Sequence, residues 1–236
     1  AYIHNGEELG DKSTKQRFHL ILIAKNETGY KNLMYLSSMS YIEGFYYYPR
    51  INKKILKEHS EGLVCSSACL QGEVSWHLNL SERNVKFGAK GYERAKEVAL
   101  EYKEIFGDDF YLEIMRHGIG DQRRIDDDIL RIAKETSIKV IATNDTHYTF
   151  KERAAAHEVF MCIAMNKTLD DPNRLRHSVH EFFVKSKEQM NELFLDIHEV
   201  IENTQEIVDK CNLEIKLGNP TPPNFKFTLE CAKERN

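Results

Sequence analysis

The amino-acid sequence predicts an α/β fold built on a largely parallel sheet or barrel. Short apolar runs at 18–24, 62–66, 109–115 and 138–142 have the length and polar boundaries of strands. Between the later runs lie two helical stripes: Tyr92, Ala95, Val98, Ala99, Tyr102, Ile105 and Phe106, then Ile125, Ile129, Ile132 and Ala133. Strands separated by helices require right-handed crossovers, which set the strands parallel and gather chemistry at their C-terminal ends.

Taken in order, Ala1-Tyr2-Ile3 reads as the end of a strand, and the polar stretch 5–16 turns the chain so that 18–24 runs back antiparallel. This hairpin places His19, which opens its strand, on the same rim as the ends of the parallel strands. The strand at 62–66 leads into a small-residue turn that carries Cys69. After the run 138–142 comes Asn144-Asp145-Thr146-His147. In extended chain, side chains two apart share a face, so Asp145 and His147 converge and offer a divalent metal one hard oxygen and one borderline nitrogen. The bland alternative is a turn in which Asp145 caps the next helix and His147 is half-buried. Past residue 150 the pattern becomes mainly helical. Ser186-Lys187-Glu188-Gln189 reads as a capping box, and Val200, Ile201, Thr204, Ile207, Val208 and Cys211 form one buried helical face. Asn219-Pro220-Thr221-Pro222-Pro223 reads as an extended linker.

With 236 residues, 41% of them apolar, the chain can bury one sizeable core. With a net charge of −4, nothing marks the whole chain as a nucleic-acid binder held by bulk electrostatics, and a local basic face stays open. No apolar run approaches the roughly 18 residues needed to span a bilayer, and the N-terminus has neither the charged nor the apolar region of a signal peptide. These features predict a cytosolic protein. Five cysteines scattered at 65, 69, 162, 211 and 231 make no disulfide framework, and Cys65-x-x-x-Cys69 has no second pair with which to build a zinc knuckle. The run Phe45-Tyr46-Tyr47-Tyr48 either stacks on bases or packs a loop against the barrel or a neighbouring domain, and packing is the simpler reading. Asp126-Asp127-Asp128 reads as a solvated helix face. Glu113 and His117 are supporting rim residues, and His157 either approaches the site from a helix start or faces solvent.

Three strings, Arg17–Ala24 with Asn26–Leu33, Gly62–Val74 and Ala142–Tyr148, resemble the polymerase and histidinol phosphatase (PHP) domain of bacterial replicative DNA polymerase III alpha subunits. Tyr111-Leu112-Glu113-Ile114 ahead of His117-Gly118, then Lys167–Arg174, then Asn203-Thr204 ahead of Cys211-Asn212 match that family in order and spacing. The resemblance implies a PHP-type (β/α)7-like barrel, incomplete here, with a mainly helical C-terminal extension. Residues 1–150 are then the metal-site portion, 151–218 its helical completion and 219–236 a linker toward the polymerase palm. It also implies bound divalent ions, zinc or manganese, on about nine His, Asp, Glu and Cys ligands. Four of those positions match: His19, Cys69, Asp145 and His147, with Asp145 and His147 as the catalytic pair. The remaining ligands are expected before Ala1, so the chain is expected to be a fragment whose strand 18–24 keeps an uncovered apolar face.

The implied function is DNA replication by a DNA-directed polymerase, with metal-dependent 3′–5′ exonuclease or phosphoesterase chemistry in the complete domain. The alternative is a non-catalytic scaffold that braces the polymerase. DNA, other polymerase subunits and a proofreading subunit are the implied partners, and no membrane is. A free-standing phosphatase of small metabolites such as histidinol phosphate fits less well, because Leu169-Asp170-Asp171-Pro172 and the linker look polymerase-like.

Overall fold

The computed structural model describes residues 1–218 together with 220 and 222. Strand β1 (Tyr2–His4) pairs antiparallel with β2 (Phe18–His19), Tyr2 opposite His19 and Ile3 opposite Phe18. The chain passes through the buried Leu20, whose N–H donates to Ala1 O at 3.0 Å, into β3 (Ile21–Ala24). The predicted strand 18–24 is thus one extended segment that serves two sheets.

Asn26 starts helix α1 (Glu27–Ile42) by accepting the Gly29 N–H on its side chain. Strand β4 (Ile51–Asn52) then lies parallel to β1, and Asn52 caps α2 (Lys53–Glu58) in the same way. Strand β5 (Leu63–Ser66) runs antiparallel to β3, with Ile21 opposite Ser66. Because β3 starts where β5 ends, the hairpin delivers His19 to the C-terminal rim, as the sequence predicts.

Three helices come next: α3 (Glu73–Leu78), α4 (Glu82–Lys86) and α5 (Tyr92–Phe106). Strand β6 (Phe110–Ile114), helix α6 (Gly120–Thr136) and strand β7 (Lys139–Ala142) complete a parallel ladder β5-β6-β7. Helices α7 (Ala154–Ala164), α8 (Lys187–Leu193) and α9 (Glu199–Lys210) come last. The capping box at Ser186 and Gln189 is formed at the start of α8.

The described strands make two sheets, β2-β1-β4 and β3-β5-β6-β7, joined end to end through Leu20. Among the described residues no ladder joins β7 to β4, so the mixed α/β assembly is not a ring of hydrogen bonds. Ile21 and Ile23 of β3 are 43% and 37% exposed, and a cleft of about 580 Å³ lies between Leu20–Leu22 and Leu36 of α1. Val98, Ala99 and Tyr102 of α5 and Ile125, Ile129 and Ile132 of α6 pack with Leu63, Phe110, Leu112 and Val140 in one core. At the edge of β7, Asn203 donates to Val140 O at 2.8 Å and Thr204 to Ala142 O at 3.2 Å, so α9 satisfies carbonyls that a bare edge would leave open.

Two expectations change, at Asp126 and Val208. Asp126 is only 9% exposed and reaches Arg116 at 3.5 Å, so the acidic run is not a uniformly solvated face. Val208 is 61% exposed, because the α9 stripe turns through Val200, Asn203 and Ile207 and leaves 208 beyond its edge. Phe45, Tyr47 and Tyr48 are exposed, and only Tyr46, beside the Arg50 guanidinium, is half-buried. The linker expected over 219–236 lies outside the described residues except for Pro220 and Pro222.

Glu73 is the buried polar joint of this architecture. Its carboxylate accepts from Asn5 Nδ2 at 2.9 Å and Tyr102 OH at 3.0 Å, and Lys53 Nζ lies 2.9 Å away. It therefore ties α3 to α2, α5 and the segment after β1. Glu73→Ala should leave the buried Tyr102 hydroxyl without an acceptor and destabilise the fold by at least roughly 1–3 kcal/mol, read as a lower urea midpoint, while Tyr102→Phe should cost less.

Candidate metal centre

The ends of β5, β6 and β7 meet around Glu113, which is 4% exposed. Its carboxylate accepts from Ser66 Oγ, from Thr143 Oγ1 at 2.7 Å and from the Ala68 N–H, and its own N–H donates to Ser67 Oγ at 2.9 Å. Burial pushes the carboxyl above its ordinary range, and the hydrogen bonds from Ser66, Thr143 and Ala68 oppose that rise. Two loops leave this knot, one carrying Cys69 and the other Asp145.

The Cys69 loop closes tightly. Gly72 N–H donates to Cys69 O at 2.8 Å, and a Cβ on Gly72 would fall 1.8 Å from Ser67 O, so only glycine fits the turn. The His19 N–H donates to Gln71 O at 2.9 Å, which brings Cys69 Sγ to 3.5 Å from His19 Nδ1. Burial lowers the His19 imidazole and raises the Cys69 thiol, and the Asp145 charge acts on both.

The Asp145 loop is held from behind by His117. Gln122 Oε1 accepts the His117 N–H at 3.0 Å, so Gln122 Nε2 is the donor to His117 Nδ1 at 2.9 Å. His117 Nε2 then donates to Asn144 O at 2.7 Å. Both ring nitrogens are occupied, and His117 positions the loop instead of offering a lone pair. Asp145 has φ +39°, and its Oδ1 lies 3.5 Å from His147 Nε2.

Of the four ligand positions expected from the sequence, the fold joins His19 to Cys69 and Asp145 to His147. The four do not form one mutual cluster among the described residues. The donor atoms that all lie within 4.8 Å of one another are those of His147, His157 and His177. His157 sits in the first turn of α7. His177 lies on the irregular segment 165–181, which returns when His147 N–H donates to Phe182 O at 2.8 Å and Val184 N–H to Thr149 O at 3.3 Å. His157 is lowered by burial and by His147, and His177 by burial, His147 and His157. Sequence reasoning missed His177 altogether, since a residue on an aperiodic loop has no face to assign.

The donor set fits a divalent cation by its chemistry: a thiol and an imidazole in contact, a carboxylate whose charge reaches both, and a group of imidazoles beyond it. The family of PHP domains matches residues 2–117 of this sequence. Residues 2–117 belong to the PHP domain family. The chain as a whole is similar to DNA polymerase III subunit alpha of Campylobacter jejuni, 77% identical over 237 residues. The same protein of Helicobacter pylori is 65% identical over 239 residues, and that of Thermus aquaticus 39% over 205. These matches cover 100%, 99% and 86% of this chain, which spans about a fifth of the length of the first two relatives and 16% of the third. His19 and Cys69 fall inside the PHP match; Asp145, His147, His157 and His177 fall in the part shared with the polymerase subunits.

Two outcomes test this geometry. A carboxyl raised on folding binds its proton more tightly in the native state, so it stabilises most below its ordinary value of 4.5 and loses that contribution as pH rises through the folded value. Glu113→Gln should therefore gain stability relative to the parent as pH climbs from about 4.5 toward neutrality, measured by urea unfolding in chelator. Gly72→Ala should open the Cys69 turn, and modification of Cys69 by a disulfide reagent should become faster.

Proposed function

We propose that this chain is the metal-binding part of the PHP domain of a bacterial replicative DNA polymerase alpha subunit, with residues 151–218 completing the domain on its helical side and 219–236 leading toward the polymerase palm. The observation that supports this reading is the pairing of His19 with Cys69 and of Asp145 with His147 beyond the strand ends, in a sequence similar to polymerase subunits over its whole length. The proposed chemistry is hydrolysis of a phosphoester at the 3′ end of DNA, in a complete domain whose further ligands come from outside this chain. Bound zinc or manganese would supply an activated water and neutralise charge on the phosphate oxygens. The chain's own residues then have defined work. His19 and Cys69 hold one side of the site, Asp145 and His147 the other, Glu113 fixes the loops between them, and His117 keeps Asn144 and Asp145 from swinging away.

A scaffold role is the second reading, favoured by the separation of the donors into a His19–Cys69 pair and a His147 group. In that case the domain braces the polymerase and its proofreading partner in the cytoplasm without cutting DNA. The assay uses the full-length polymerase subunit with manganese on a 3′-labelled primed template without nucleotides. Metal-dependent 3′–5′ hydrolysis that falls roughly a hundredfold or more in Asp145→Asn, with polymerisation retained, is the expected outcome. Hydrolysis at background in the parent protein, alongside normal polymerisation, would establish the scaffold reading instead.

A further inference from the structure

The cluster that lies beyond β7 differs in origin from the donors at the strand ends. We propose that His157 and His177 are metal ligands that hold, together with His147, one divalent ion. This rests on the metal-dependent reading above and assigns one of its ions to side chains from α7 and from the segment 165–181.

Three imidazoles are borderline nitrogen donors, the set that zinc prefers, and three such ligands leave a fourth position for water or substrate oxygen. Their donor atoms lie within 4.8 Å of one another, and ring centroids are separated by 5.7 Å (His147–His157), 5.2 Å (His147–His177) and 5.6 Å (His157–His177). Tetrahedral zinc with ~2.0–2.1 Å bonds to nitrogen needs its ligands about 3.3 Å apart, a distance that side-chain rotation supplies. Three chain segments are held in place to make the cluster. His147 is fixed through its N–H to Phe182 O at 2.8 Å. Next to His157, Glu158 accepts from Arg174 Nη2 at 2.8 Å, which draws the segment bearing His177 onto α7. His177 then rests on Phe182, with ring centroids 4.6 Å apart.

The nearby cations are engaged elsewhere, Arg174 by Glu158 and Lys185 by Asn144 and Glu181. On the other side, Asp145 Oδ1 lies 3.5 Å from His147 Nε2, and its charge also reaches His19 and Cys69. Asp145 thereby stands between the three-histidine group and the thiol-bearing pair.

The competing account is aromatic packing alone, with His157 against Tyr148 and His177 against Phe182. Cobalt(II) separates the two. The full-length protein is stripped of metal and titrated with cobalt, whose visible bands report tetrahedral ligation and whose near-ultraviolet sulfur charge transfer reports Cys69. His157→Gln with His177→Gln should remove the nitrogen-ligated visible component, lower the bound zinc by one ion and weaken its binding more than about tenfold, while the sulfur band survives. Cys69→Ser should remove the sulfur band and keep the nitrogen component. His177→Gln alone, altered on an irregular segment, should show the same loss without a change in far-ultraviolet circular dichroism. An unchanged visible spectrum and zinc affinity in both histidine variants, with the sulfur band present, would overturn this inference and leave the metal-dependent reading standing. Absence of both signals in the parent protein would overturn the two together.

Discussion

The Glu113 carboxylate is the constraint on which the site depends. Placing an acid at a buried strand end is unfavourable unless its oxygens are satisfied, and here the donors come from both neighbouring strands. Ser66 and Ala68 belong to the end of β5 and Thr143 to the residue after β7, so one side chain on β6 sets the exit directions of both loops. Cys69 is the residue after one of those donors, and Asp145 stands two beyond another. The spacing between thiol and carboxylate is therefore an outcome of how Glu113 is solvated by the protein.

A second tier of the site is built by tertiary contacts instead of strand geometry. His117 reaches across from the β6 end to the Asn144 carbonyl, Phe182 receives the His147 N–H, and the Arg174–Glu158 pair fastens the long return segment to α7. Each contact joins residues far apart in sequence. The strand-end donors inherit the rigidity of the sheet, whereas the histidines beyond residue 150 depend on a few hydrogen bonds at the rim.

This division explains what could be read from the sequence. Strand periodicity and the stripes at 92–106 and 125–133 have a physical basis in core packing, and those elements fall where expected. The antiparallel return that brings His19 to the rim was also legible, because a polar, Gly-containing stretch at 5–16 between two apolar runs suits a hairpin, and only a hairpin puts the start of 18–24 at the rim. The division of 18–24 between two sheets was not, since Leu20 is as apolar as its neighbours and nothing local marks the change of partner. Strand β4 is two residues long, too short for any period. Asp126 and Val208 were misread for one reason: helical position fixes an angle around the axis, while burial at the stripe's margin is decided by what packs there, Arg116 in one case and open solvent in the other. His177 needed the Phe182–Val184 return, which is knowable only in three dimensions.

The backbone at the two donor loops carries a consequence for adaptation. Ala68, just before Cys69, has φ +59°, and Asp145 has φ +39°. Aspartate tolerates this left-handed region, whereas alanine adopts it at a cost on the order of 1 kcal/mol. A glycine at 68 would relax the fold and at the same time loosen the segment that aims the thiol. Backbone ease and a fixed direction for the cysteine therefore trade against each other at this one residue.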